Sequence, residues 1–467
     1  MLMRRGGITQ TLILSCHCAR RALSTHVNRS TKSAPFERMI PDTFELDGLK
    51  LNTDSYFNIS SGLRNLYDRR LLYEPLNPLC LLRQQIVEHL HREYRKPGNR
   101  SPIFTICDKE PRLVSVFENF DSLLTPPDHI SRRPSDTYYV NRDYCLRAHT
   151  SAHQFELLKR GLDNFVVIGD VYRRDEIDRT HFPCFHQIEG LRTFASPEEL
   201  FGDQFLSDTP ARIFAPANSA EFAETAEKQA GHTLDTAKVL VLNLKCVLEG
   251  LARALFGADV QFRWVDSYFP FTHPSFELEI LFDEKWLEIL GCGVVRQEIL
   301  RSAGAGAKVG WAFGMGLERI AMALFGIPDI RLFWLRDSGF LNQFKDLKRE
   351  EFRNFRYRPI SQHPQLTMDI SFWIPMRDGE SCESSDFLAR MNDLKSDVRD
   401  VIRLVGGTLV EQLELIDEFH NKKKALHSHC YRITYRSYER ALSKEEMNVV
   451  HAKIGRELAT RFGVIIR

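Results

Sequence analysis

Apolar residues recur at Leu79, Leu82, Ile86, Leu90 and Tyr94, the spacing of one helix face, directly after Asn77-Pro78. An Asn can accept hydrogen bonds from the first free amides and a Pro fits the first helical position, so a long amphipathic helix is predicted to begin there. A shorter local helix is predicted over residues 63–72. Strand patterns follow at 102–107 and 165–169, and residues 276–282 alternate with period two. Strands and helices without regular βαβ alternation favour an antiparallel α+β domain. The last hundred residues are more regular. Strand-like 366–374 precedes helical 387–404, which ends at Gly406-Gly407; 409–419 and 430–435 are strand-like, 444–462 is helical and 464–466 closes. The order β-α-β-β-α-β is that of a ferredoxin-like split unit.

Composition narrows the class. With 43% apolar, 11% aromatic and 27% charged residues over 467 positions, the chain is globular, long enough for several domains, and neither fibrous nor a disulfide miniprotein. Ten cysteines without a Cys-x-x-Cys pair read as reduced thiols rather than a disulfide framework or a zinc site. No run is apolar enough to span a membrane. The net charge of +1 argues against a polyanionic partner until it is resolved along the chain. Residues 1–36 carry Arg4, Arg5, Arg20, Arg21, Arg29 and Lys32 and no acid, the composition of an organellar transit peptide; the apolar stretch 11–16 is too short for a secretory core. The rest is mildly acidic, 57 basic against 62 acidic residues. An Ala/Glu/Pro/Ser-rich stretch at about 207–235 reads as a surface insertion, and the charged run 345–356 as a linker.

Two segments carry chemistry. In Gly310-Trp-Ala-Phe-Gly-Met-Gly316-Leu-Glu318-Arg319, glycines let backbone approach a ligand, and an Arg at the start of a helix can meet a phosphate or stack on a base. A glycine-rich turn under a helix is the plainer account. In Gly169 to Gly190, a strand ending in Arg173 and a return strand carrying Phe185, Gln187 and Glu189 at period two would put those three side chains on one face. That set suits a nucleotide and an ammonium group: a guanidinium for phosphate, a ring for a base, an amide and a carboxylate for the cation. The alternative is a surface hairpin with ion pairs.

Together these segments resemble motifs 2 and 3 of the class II aminoacyl-tRNA synthetases, with the Asn77 helix in the place of motif 1. Residues 146–154 (Leu-Arg-Ala-His-Thr-Ser-Ala-His-Gln), 268–274 (Tyr-Phe-Pro-Phe-Thr-His-Pro) and 327–331 (Ile-Pro-Asp-Ile-Arg) resemble the phenylalanyl-tRNA synthetases, in their single-chain mitochondrial form. The resemblance implies a seven-stranded antiparallel sheet flanked by helices, a C-terminal ferredoxin-like anticodon-binding domain, and a monomer in the mitochondrial matrix. It divides the chain into a transit peptide at 1–36, an N-terminal extension at 37–76, a catalytic domain at 77–340, a linker at 341–358 and the anticodon-binding domain at 359–467.

The implied reaction is attack of phenylalanine on the α-phosphate of ATP, with Mg2+, and transfer to the 2′-hydroxyl of the terminal adenosine of tRNA(Phe). By position, Arg173 is implied on the α-phosphate with Asp175 beside it, and His181 near the phosphates. Phe185 and Arg319 are implied around the adenine, and Glu288 at the adenosine or the metal. The resemblance implies that catalysis rests on Arg173, Arg319 and His181. His149, Ser151, Ala152, His153, Gln154, Gln187, Ile188 and Glu189 are implied around the amino acid backbone. Phe269, Phe271, Thr272, Ala312 and Phe313 are implied around its ring, where a tyrosine hydroxyl against Ala312 would lack a partner unless Thr272 supplies one. Thr150, Ser151 and Gln154 also fit a helix-capping box, and Glu277 and Glu279 a solvated strand face.

Residues 420–440 hold Lys422, Lys423, Lys424, Arg432, Arg436 and Arg440 against Glu439, with Tyr431, Tyr435 and Tyr438 interleaved. Basic and aromatic residues together suit tRNA, through phosphate contacts and base stacking; a lysine-rich tip guarding a strand edge is the alternative. Two other functions compete: activation of a different amino acid, which Phe269 and Phe271 disfavour, and a non-catalytic tRNA-binding paralogue, which retention of Arg173 and Arg319 disfavours.

Overall fold

A computed structural model describes residues 40–96, 98–201, 212–359, 363–375, 384–421 and 426–467. The expected transit peptide, part of the expected insertion, and Lys422, Lys423 and Lys424 lie outside the described residues. The helix predicted from the first apolar stripe is α1, Pro78–Glu93. The Asn77 side chain accepts from the amide of Leu79 and donates to the Phe333 carbonyl at 2.9 Å, so the cap is itself anchored in the core. Leu79, Leu82, Ile86 and Leu90 are all fully buried. The predicted 63–72 helix is two pieces, Ser61–Tyr67 and a turn at Leu71–Tyr73.

The central sheet has seven strands: β1 (Thr105–Cys107), β2 (Asn164–Tyr172), β3 (Cys184–Phe194), β4 (Phe262–Phe269), β5 (Thr272–Phe282), β6 (Lys285–Val295) and β7 (Val309–Gly316). Their order is β1-β2-β3-β7-β6-β5-β4. One expectation needs correction: β1 runs parallel to β2, so the sheet is antiparallel except at that edge. Register decides what each face carries. Ile168, Ile188, Phe313 and Met315 join the large core beneath α1 and α2 (Leu234–Phe256). The opposite face carries Glu189 against Gly314, and Gly291 between Gly314 and Glu277. Helix α3 (Leu317–Phe325) leaves β7 directly.

The stretch read as a surface insertion and the charged run read as a linker both carry interior residues. Lys228, Gln229 and His232 are buried, and Gln229 donates to the carbonyls of His273 at 2.8 Å and Val295 at 2.9 Å, bolting this stretch to strand ends. In the charged run, Phe352 and Phe355 pack against Phe325. Charge density hid these anchors because single aromatic or amide residues carry them.

The C-terminal part follows the predicted order: β8 (Leu366–Pro375), α4 (Ser385–Gly406), β9 (Val410–Asn421), β10 (Leu426–Tyr435), α5 (Lys444–Phe462) and β11 (Ile465–Ile466). The strands are ordered β9-β10-β8-β11. Ser384 and Ser443 cap the two helices by accepting from Phe387 and Glu446. The connection between β2 and β3 is built into this region. Arg174, 4% exposed, meets Asp397 and Asp400 of α4 at 2.8 Å each. Ile177 belongs to the C-terminal core, and its carbonyl accepts from Leu413 of β9 at 3.0 Å.

Removing one member of a buried ion network leaves charge without compensation, at a cost of about 3–5 kcal/mol, whereas an exposed pair contributes at most about 1 kcal/mol. Arg174→Ala is therefore expected to lower the thermal midpoint strongly. Arg399→Ala, whose partner Glu176 is exposed, should leave it nearly unchanged. Parallel melts of the two variants check this.

Candidate active site

Glu189 sits in the middle of β3 and is 4% exposed, so its carboxylate must be answered from neighbouring elements. Residues 150–153 form a short turn leading into the helix Gln154–Lys159. They do not make the capping box their types allow. Gln154 Nε2 donates to Glu189 Oε1 at 2.5 Å, Ser151 Oγ donates to Oε2, and Thr150 Oγ1 lies 3.3 Å from the same oxygen. The Thr150 amide donates to Gln187 Oε1 at 3.2 Å. Burial pushes Glu189 up to about 7 despite these three hydrogen bonds. A cation brought beside this carboxylate would recover that desolvation cost. Space for one exists, because a methyl group on Gly314 would meet only Glu189 Oε2, at 3.9 Å.

The rings of Phe269 and Phe271 stand stacked, 5.8 Å apart and 11° from parallel. The Phe269 ring lies over Gly291, where a side chain would come within 2.7 Å of it. Phe271 packs against the buried cluster to which Ala312, Leu191 and Val295 belong. Together they wall an apolar slot next to the buried carboxylate. Thr272 Oγ1 and Ser275 Oγ are 2.7 Å apart, and Ser275 also donates to the Thr272 carbonyl. With both hydroxyl protons engaged within the pair, Thr272 can accept a hydrogen bond but not donate one.

At the other end of β3, the Arg173 guanidinium lies over the Phe185 ring at 5.1 Å and donates through Nε to the Ala148 carbonyl at 2.8 Å. His149 is kept neutral, its pKa lowered to about 3 by burial and then by Arg173, and its Nδ1 is buried without a partner among the described residues. Asp178 accepts from the amides of Thr180 and His181 and holds the His181 ring at 2.7 Å, fixing the exposed loop tip. Asp175 adds its charge beside Arg173, while its carbonyl accepts from Arg403 of α4 at 2.9 Å. Arg319 pairs with Glu288 Oε2 at 3.0 Å, and Glu279 stands directly opposite Glu288 on β5.

Several expected residues do not join this face. The side chains of Ile188 and Phe313 pass to the core behind the sheet, where Phe313 fills the space a side chain on Gly190 would need. Ala152 packs with Phe120 and Tyr139, and His153 Nε2 is 3.0 Å from Arg147. In the C-terminal part, Tyr431 and Tyr435 are interior and cannot stack on a base; Tyr438 is half-buried against Arg331. Arg436 faces the buried Glu411 at 3.1 Å, while Arg432 stays on the open sheet face, paired with Asp369.

Three features are given no part in the site by the sequence reading. Glu318 accepts from the His186 amide at 2.9 Å and meets His186 Nδ1 at 2.6 Å, locking α3 to β3 beneath the site. Thr150 is a third donor to Glu189. Trp373 and the exposed Phe419, 6.2 Å apart, form an aromatic surface with Arg467 over Trp373. A period-two pattern marks such residues only once it is known which face the helices cover.

A family model described as tRNA synthetases class II core domain (F) matches residues 99–195 and 228–344, and one described as ferredoxin-fold anticodon binding domain matches 361–467. Over 420 residues the chain is 44% identical to a phenylalanine-tRNA ligase, mitochondrial, of Mus musculus, covering 90% of this chain and 88% of that one. It is 43% identical over 437 residues to a probable phenylalanine-tRNA ligase, mitochondrial, of Drosophila melanogaster, covering 91% and 93%. It is 33% identical over 465 residues to the phenylalanine-tRNA ligase, mitochondrial, of Saccharomyces cerevisiae, covering 91% and 95%.

Glu189 also makes stability depend on pH. Its pKa is about 7 folded against the ordinary 4.5, so the neutral form favours the fold. That contribution is complete below pH 4.5 and is lost as pH rises through about 7, amounting to about 3 kcal/mol. Denaturant melts at pH 5 and pH 8 should show most of this loss in the wild-type chain and not in Glu189→Gln.

Proposed function

The chain belongs to the phenylalanine-tRNA ligases, and we propose that its Glu189 carboxylate receives the ammonium group of phenylalanine while Arg173 sets the substrate carboxylate against the α-phosphate of ATP. It is an ATP-consuming class II synthetase of mitochondria that joins phenylalanine to tRNA. One observation carries the assignment of roles: a buried carboxylate with three donors behind it, open space in front, and two parallel rings beside it. An ammonium group recovers the cost of burying Glu189, and the benzyl ring enters the slot of Phe269 and Phe271 above Ala312. A ring entering edge-on to that pair contributes about 0.5–1.5 kcal/mol beyond its buried area.

Activation is in-line displacement, with no covalent enzyme intermediate. The substrate carboxylate attacks the α-phosphorus and pyrophosphate leaves; the 2′-hydroxyl of the terminal adenosine of tRNA then attacks the acyl carbon of the phenylalanyl-adenylate, taking the phenylalanyl group while AMP leaves. Arg173 stabilises charge on the α-phosphate, fixed by the Ala148 carbonyl before substrate arrives, so little reorganisation remains for the reacting state. Adenine stacks on Phe185, with Arg319 released from Glu288 to cover its other side, and His181 at the loop tip meets the outer phosphates. Mg2+ would neutralise phosphate charge; Glu288 and Glu279 offer the hard oxygen donors it takes.

Arg432 and the Trp373–Phe419 surface would meet unpaired tRNA bases and phosphates, a role for which buried Tyr431 and Tyr435 are unsuited. The enzyme acts as a monomer in the matrix, residues 1–36 serving as its import signal. The catalytic domain spans 77–340 and the anticodon-binding domain 359–467, joined through 341–358.

Arg173→Ala should abolish phenylalanine-dependent pyrophosphate exchange without changing the melting profile; near-normal exchange would sink its assignment. The pH profile tests Glu189 separately. Binding needs the carboxylate, so KM for phenylalanine should rise about tenfold per pH unit below about pH 7. In Glu189→Gln it should be raised at least about tenfold and lose that slope. A KM flat in pH for the wild-type enzyme would remove Glu189 from ammonium recognition.

A further inference from the structure

The register of β9 against β10 sets four metal-binding side chain types in a square on the helix-facing side of the C-terminal sheet. Glu418 stands opposite His429, and His420 opposite His427. The candidate ligand atoms of Glu418, His427 and His429 all lie within 4.8 Å of one another. The His420 and His427 rings are 6.3 Å apart, and those of His427 and His429 5.1 Å.

Hydrogen bonding does not account for this corner. His429 is fully buried; its Nδ1 is 3.2 Å from the Tyr431 hydroxyl, while its Nε2 faces Glu418 Oε1 at 3.2 Å without hydrogen-bond alignment. Among the described residues, Nδ1 of His420 and Nδ1 of His427 are likewise buried and find no partner. Three orphaned imidazole nitrogens in one corner depart from the rule that buried polar groups are paired. A core histidine satisfied on both nitrogens would not look like this. We propose that Glu418, His427 and His429, completed by His420, bind a zinc-type divalent cation.

The donor set suits such an ion. Imidazole with one carboxylate is borderline-soft and matches tetrahedral zinc, with bonds of about 2.0–2.1 Å. The ligand atoms of Glu418, His427 and His429, now within 4.8 Å of one another, must close to about 3.3 Å, and His420, whose ring is 6.3 Å from that of His427, must turn inward to complete the set. The Tyr431 hydroxyl is the outer partner expected of a ligating histidine, accepting from Nδ1–H and leaving the Nε2 lone pair for the metal. Lys395, 2.7 Å from Glu418 Oε1, is the rival cation and would turn to solvent. Glu418 is exposed, which gives an ion its way in. His420 and His427 bracket residues 421–426 along the chain, so a bound ion would tie the strand ends on either side of Lys422, Lys423 and Lys424.

The test uses the untagged full-length chain, stripped with a chelator and titrated with Zn2+ by calorimetry, with Co2+ absorption reporting coordination geometry. One ion per chain at about micromolar affinity or tighter is expected, with tetrahedral Co2+ bands. His427→Gln and His420→Gln, both only half-buried, should each weaken binding at least about tenfold while phenylalanine-dependent exchange stays at the wild-type rate. His429→Gln should do the same where it folds. No binding tighter than about 100 µM, or binding unaltered in the His420→Gln/His427→Gln double variant, would overturn the proposal.

Discussion

A carboxylate held inside a β-sheet, where water cannot reach it, constrains everything around Glu189. Its two oxygens are answered from one side by Gln154, Ser151 and Thr150, which is why residues 150–154 turn toward the sheet instead of capping their own helix. On the neighbouring β7 the position beside it is Gly314, and the next strand, β6, sets Gly291 beside Gly314, so no side chain from these two positions fills the space in front of the charge. Behind the sheet, Phe313 occupies the volume that the missing side chain of Gly190 leaves, and the floor cannot relax away from the carboxylate. Burying this carboxylate is a cost the folded protein bears, and under the role proposed for Glu189 a cation beside it would recover that cost where a neutral analogue would not.

A second buried carboxylate organises the C-terminal side. Glu411 is fully buried, and Arg179, Arg331, Arg436 and Gln365 all reach it, three guanidinium groups and an amide from separate parts of the chain. Arg331 is in turn held by Asp329. A lone acid of this kind would be costly to bury; surrounded by guanidinium groups, it becomes a fixed point for the β2–β3 connection, the segment after α3 and the first residues of β9.

What the sequence made legible follows from how each signal is encoded. The Asn77 cap, the ferredoxin-like order and the period-two face of Phe185, Gln187 and Glu189 are local, and the structure contains them. Side-chain sidedness was not local. Ile188 and Phe313 adjoin site residues along the chain, yet a strand sends neighbours to opposite faces. Tyr431 and Tyr435 read as a stacking surface because they alternate with arginines, and that same alternation puts them in the core beneath α4 and α5. The partner of His186 lies 132 residues away in Glu318, a separation no periodicity reports.

The β2–β3 connection joins the two halves more tightly than its polar composition suggests. Arg173 turns one way, over Phe185; Arg174, next in sequence, turns the other way into Asp397 and Asp400, and Ile177 is buried in the C-terminal core. The carbonyls of Asp175 and Glu176 are held by Arg403 of the same helix. Withdrawing the C-terminal domain would expose Ile177 and strip Arg174 of both carboxylates. The backbone that presents Arg173 would lose its support on one side. The posture of the β2–β3 connection is therefore set by α4 and β9 as much as by the central sheet, through packed side chains within a few residues of Arg173.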